Sequence, residues 1–158
     1  LQFSRPWMSY WMLILRLLTG WWMLHAGLTK LMEGGFDASG YLMFASQGTI
    51  LAPIEVWFAQ NALGFVNFMI PVGEFLIGLG LLVGAFVRLA AFFGGFLMMF
   101  FYFTNADWGH GMVSGDMMGM LLIITLGVAG AGRVWGVDQF LEKMDWAKNS
   151  RWAAYILG

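Results

Sequence analysis

FVNFMIPVGEFLIGLGLLVGAFVR, residues 65–88, is the stretch from which the fold can be read. It is apolar for long enough to cross a bilayer, since about 20 helical residues cover a hydrocarbon core of ~30 Å. Yet it carries Glu74 about midway. A carboxylate at that depth costs about 2.5–3.5 kcal/mol on insertion scales, so it persists where it faces a bundle interior and has a partner. In the sequence the candidate partner is Arg16, on the first apolar run.

The rest of the chain carries the same signature. Of 158 residues, 60% are hydrophobic and 11% charged, where soluble domains have about 45–50% and about 25%. With a mean hydropathy of +0.73, the composition is that of an integral membrane protein, whose first partner is the lipid bilayer. A net charge of −1 offers no basic stripe for phosphates, which excludes nucleic acid as a partner. The absence of cysteine excludes thiol exchange, thiolate metal sites and a cysteine nucleophile. Two histidines are too few for a multi-histidine metal centre, so neither metal nor haem is expected in this chain. A redox role then rests on a bound organic cofactor or on another subunit.

Taken in order, residues 1–8 are a short polar lead in which no cleavable signal sequence is evident. Ser9–Met32 is the first span. Residues 33–64 carry Glu33, Asp37 and Glu55 but no Lys or Arg, and apolar bursts at Tyr41–Phe44 and Ile54–Phe58 predict two short interfacial helices. The second span, with Pro71 in its early turns, ends in a tight turn from Gly84 to Arg88. A third span runs from about Leu89 to Asn105, and a fourth, shorter one from about Asp116 to Ala131. Beyond Gly132, charges alternate with Phe140, Leu141, Met144, Trp146 and Trp152, which predicts an amphipathic helix over 137–157, with a break near Asn149. The expected fold is therefore all-α, an integral membrane four-helix bundle. Residues 1–137 form the membrane domain and 138–158 an amphipathic interfacial segment. Arg5, Arg88, Arg133, Lys143, Lys148 and Arg151 fall on one side and none in the two opposite loops. A multi-pass protein of the cell membrane with both termini cytoplasmic is the reading that this bias supports.

On the first span, Arg16, Gly20, Met23, Gly27 and Lys30 share one stripe at helical spacing, and Glu74, Gly78, Leu81 and Arg88 make a similar one, with Asn67 on the same side. Small residues on such stripes let membrane helices approach closely. Facing stripes place Arg16 and Glu74 in one polar interior. There they form an ion pair that specifies packing or a pair that binds a ligand or handles protons; a third reading has Arg16 reaching for headgroups. His25 points away from the stripe, as do Trp21 and Trp22. At the outer mouth, Asp107, His110 and Asp116 gather near Lys30. A histidine among carboxylates can move protons near neutral pH. The plainer reading has Asp116 capping the fourth helix and Asp107 stabilising a glycine-rich turn.

The order and spacing of these residues resemble the DoxX/DoxD-like membrane proteins. The resemblance rests on R-x3-G-x6-G-x2-K at Arg16, Gly20, Gly27 and Lys30, then G-E-x3-G at Gly73, Glu74 and Gly78. G-x3-R at Gly84 and Arg88 leads into RLAAFFGGFLMM, and Asn105 to Gly111 looks like the outer segment of the DoxD-type branch. The resemblance implies a four-helix membrane bundle and, for that branch, the large subunit of a thiosulfate:quinone oxidoreductase. On that footing Arg16, Glu74, Asp107, His110 and Asp116 are the catalytic candidates, and Arg16, Lys30 and Glu74 the residues to hold a quinone. The alternative is a non-catalytic accessory subunit that stabilises a larger membrane assembly. Either role implies other membrane or extracytoplasmic subunits as partners.

Overall fold

The structure, a computed structural model, describes residues 6–105 and 111–158. Helix α1 (Pro6–Glu33) is followed by a π-helical turn at Tyr41–Ala45 and by α2 (Ala52–Asn61). Then come α3 (Leu63–Val83), α4 (Val87–Asn105) and α5 (Gly115–Ala129). A 3-10 turn at Ala131–Arg133 leads to three short helices, α6 (Asp138–Leu141), α7 (Asp145–Asn149) and α8 (Ala153–Ile156). The two short elements expected in the long connection are thus the π-turn and α2.

Helix α3 packs on α1, α4 on α3 and α5 on α4, and α5 returns to touch α1. The α1–α3 contact is the closest because glycines line it. A Cβ added at Gly78 would sit 2.1 Å from the Leu24 nitrogen, and one at Gly27 2.3 Å from the Phe75 nitrogen. Backbones that meet this closely admit no side chain between them. Met12, Met23, Ile77, Leu81, Met98, Ile123 and Leu126 fill the centre.

The chain buries several charged residues and exposes many large apolar ones, which a soluble bundle does not do. Arg16, Glu55, Glu74 and Asp138 are buried, whereas Leu18, Phe68, Phe92 and Val128 are each more than 60% exposed. An apolar exterior around a partly charged interior is what hydrocarbon selects, because only there does an exposed phenylalanine carry no hydration penalty. Helices α3 and α4, with 21 and 19 residues, are long and apolar enough to cross a membrane. Helix α1 has the length but carries Arg16 and Lys30. Helix α5, with 15 residues, spans only about 22 Å.

Two ends close differently. Gly84, at φ 72°, ends α3 in the left-handed conformation that glycine adopts without strain. The start of α4 is then capped from far along the chain, since Asp138 accepts from the amides of Phe86 (2.7 Å) and Val87 (3.0 Å). Its second oxygen also takes Gly158 N at 3.0 Å. This anchoring corrects the expected amphipathic helix over 137–157. The segment breaks at Glu142–Met144 and again after Asn149, and folds back on a small core of Ala147, Ala153 and Leu157. Pinning Asp138 at one end and Gly158 at the other requires a compact return that a straight helix of that length cannot make.

Candidate functional site

Lys30, in the last turn of α1, places its Nζ 2.5 Å from Glu74 Oε2. The Glu74 side chain is 4% exposed and that of Lys30 29%. This overturns the pairing expected from the sequence: Glu74 is partnered by Lys30, and Arg16 lies elsewhere. Fourteen residues separate Arg16 from Lys30 on α1, about 21 Å along the axis. There the Arg16 guanidinium donates from Nη1 to Ala131 O (2.6 Å) and Val134 O (3.0 Å), tying α1 to the turn that precedes α6. Helical periodicity put Arg16, Lys30 and Glu74 on facing stripes correctly. It could not fix the offset along the axis, which the glycine contacts set: Gly27 sits against Pro71 and Phe75, and that brings Lys30, three residues on, level with Glu74.

Beside the ion pair lies a half-enclosed pocket of about 290 Å³, walled by Phe36, Ala38, Tyr41, Ile70 and Phe101 and edged by Asp37 and Asn105. The loop after α1 is stapled over it. Asn67 of α3 accepts Ala38 N (2.8 Å) and donates to Asp37, whose carboxylate also takes the amide and hydroxyl of Ser39. Those Ser39 bonds hold the Asp37 carboxyl below its ordinary range. Opposite, Tyr41 donates to Asn105 Oδ1 (2.9 Å), and Asn105 donates to Asp116 Oδ2 (2.6 Å). Burial, with a smaller contribution from the Asp116 carboxylate, pushes the Tyr41 phenol up to about 12, so it is a neutral donor at physiological pH. The rings of Tyr41 and Phe101 meet edge to face at 6.1 Å.

Other expected residues fall into place around this frame. Asp116 lies in the first turn of α5 but does not cap it: Ser114 does, accepting Met117 N. Asp107 and His110 lie outside the described residues. His25 is exposed and its ring lies tilted beside that of Trp21, as its distance from the stripe predicts, but the Trp22 ring lies over Gly119 of α5. Sequence reading missed Tyr41, Asn105 and the carboxyl of Glu55, which is buried against the Thr104 hydroxyl of α4. The one local signal for Glu55 was an acid in the first turn of an otherwise apolar short helix.

A helical protein with a lipid-compatible exterior and a small polar pocket at one end of the bundle is the class these features define. The family model described as DoxX matches residues 11–106, more than half of the chain, and the chain belongs to the DoxX family of membrane proteins. No curated protein and no solved structure matches it.

Proposed function

We propose that this DoxX-family chain is the membrane subunit of a quinone-linked oxidoreductase, with the quinone headgroup held in the Lys30–Glu74 pocket. The observation that carries this reading is the ion pair at the edge of an aromatic pocket. About 290 Å³ lies at the lower limit of small-molecule sites, roughly 300–1,000 Å³, and suits a ring rather than a large polar ligand. Phe36, Tyr41 and Phe101 supply flat apolar walls, Lys30 a charged donor for a ring oxygen, and Glu74 a carboxyl that can hold or release a proton. A bound quinone would supply the acceptor for two electrons and two protons. Lys30 and Glu74 orient it and keep a proton source within the site, and the walls exclude water.

A small inorganic sulfur donor such as thiosulfate, implied by the resemblance to the DoxD branch, stays the proposed electron source. Among the described residues lining this pocket Lys30 is the one cation, and it is already neutralised by Glu74 beside the Asp37 carboxylate. The pocket therefore favours a neutral ring over a dianion, and oxidation of the donor is assigned to a partner subunit. Four crossings by α1, α3, α4 and α5, with the arginine-rich turns cytoplasmic, complete the proposal.

Purified protein in mild detergent is titrated with a short-tailed benzoquinone, following quenching of intrinsic fluorescence, and its extracted lipids are assayed for quinone. Saturable binding weakened at least about tenfold by Lys30→Met is expected, since a charged hydrogen bond contributes about 1.5–3 kcal/mol. No saturable binding, or equal affinity in the variant, refutes the reading. The accessory-subunit alternative draws on a second feature, an open apolar groove of about 700 Å³ between α4 and α5 at Ala91, Gly95 and Gly127, whose small residues suit a partner's helix.

A further inference from the structure

Behind the Tyr41–Phe101 wall lies a second, smaller chamber of about 170 Å³ that shares Tyr41, Ile70 and Phe101 with the first pocket. Its other walls are aliphatic and aromatic except for Thr104 and Glu55. Glu55 is 2% exposed and has no cation within ion-pair distance among the described residues. The Thr104 hydroxyl contacts both Glu55 Oε1 and Phe100 O, the latter at 2.7 Å. A hydroxyl has one hydrogen but two acceptor lone pairs. Each contact is a full, unshared hydrogen bond when Thr104 donates to Phe100 O and accepts from Glu55, which puts a proton on Oε1. The neighbouring hydroxyls offer the carboxyl little else. Ser46 lies near Glu55, but its hydrogen is committed to Leu42 O at 2.7 Å, and that of Tyr41 to Asn105. Burial favours the same neutral form.

The second oxygen is then a carbonyl-like acceptor, and Glu55 Oε2 has no hydrogen-bond partner. A buried acceptor without a donor is unfavourable. A single water on Oε2 would fill little of a chamber of about 170 Å³ whose remaining walls are mostly apolar. The fitting occupant is an apolar ring that carries a single inward hydroxyl.

We propose that the chamber beside α2 binds the ring of a phenol or quinol, whose hydroxyl donates to Oε2 of a neutral Glu55 held through Thr104. This rests on the quinone reading above, and assigns the reduced form to a place of its own. The full chain in mild detergent is titrated with methylhydroquinone and with its dimethyl ether, which has the same ring without the donor. Wild type should prefer the hydroquinone by about tenfold. Glu55→Gln, which keeps a neutral acceptor, should retain the preference, and Glu55→Leu should abolish it. Infrared spectroscopy on the wild type provides a readout that does not depend on folded variants. A protonated carboxyl C=O band absent from Glu55→Gln should be present at neutral pH and should shift when methylhydroquinone is added. No preference in wild type, a preference that survives Glu55→Leu, or a band that does not move would overturn the proposal. Failure of the Lys30–Glu74 reading is separable, because Lys30→Met then leaves benzoquinone affinity unchanged whatever Glu55 does.

Discussion

Replacing Lys30 by methionine tests the ion pair as a determinant of stability. The variant keeps the length and most of the volume of the side chain but leaves the Glu74 carboxyl, 4% exposed, without the ammonium 2.5 Å away. Breaking a buried pair from one side costs about 3–5 kcal/mol. Because Lys30 is 29% exposed, water reaches the vacated position, which puts the expected loss near 3 kcal/mol, the lower end of that range. Glu74→Gln should cost less, about 1 kcal/mol, since the amide oxygen still accepts from Lys30 and the ammonium can hydrate from the open side. If the two groups act on each other, the double variant loses less than the sum of the single losses, and the cycle yields a coupling of about 2 kcal/mol. Unfolding by a denaturing detergent titrated into mixed micelles provides all four free energies under one condition. Losses that add within about 0.5 kcal/mol would show that the residues are neighbours without being partners, and the reasoning from burial and distance would fail.

Three further outcomes are expected. Gly27→Ala forces a Cβ to within 2.3 Å of the Phe75 nitrogen and 2.7 Å of Pro71 O, and overpacking of backbone should cost at least about 1–3 kcal/mol. Gly73→Ala on the same helix pair meets nothing within 4 Å and should gain about 0.5–1 kcal/mol from helix propensity, so melting temperatures should move in opposite directions. Asp138→Asn leaves one oxygen to serve the three amides of Phe86, Val87 and Gly158; whichever way the carboxamide turns, at least one amide faces its NH2, which predicts a loss of about 1–3 kcal/mol, with hydrogen exchange rising first at the start of α4. Burial raises the Glu55 carboxyl above the ordinary glutamate range, so as pH rises the unfolded chain releases this proton before the folded one does. The stability contribution is complete below the unfolded value and is lost as pH climbs through the raised folded value. The difference between wild type and Glu55→Gln in pH-dependent unfolding should therefore fall with increasing pH, and a flat difference would contradict a neutral buried Glu55. Asp37, held low by Ser39, contributes in the opposite sense in both proteins and cancels in that difference.

Much of the architecture was legible without coordinates because hydrophobic runs and glycine stripes are local, periodic signals. The positions of α1, α3, α4 and α5, the two short elements of the long connection, and the burial of Arg16, Gly20, Gly27, Glu74 and Gly78 all follow from residue type and 100° spacing. So does the outward direction of His25. Membership of a membrane family follows from the same residues. What periodicity cannot supply is translation along a helix axis, and that is where the sequence reading of the polar interior failed. Arg16 and Lys30 project from one stripe, and only the depth at which Gly27 seats against Phe75 decides which of them meets Glu74. The Glu55 chamber was hidden for a related reason. Glu55 and Thr104 are 49 residues apart, and no local pattern announces a contact between a short connecting helix and the end of α4. The folding-back of 137–158 was equally out of reach, since the amides that bind Asp138 belong to Phe86, Val87 and Gly158. The sequence by itself determined which faces are buried. The tertiary structure alone decided which buried charges meet, because hydrocarbon forces polar groups inward but leaves their pairing to the register of backbones in contact.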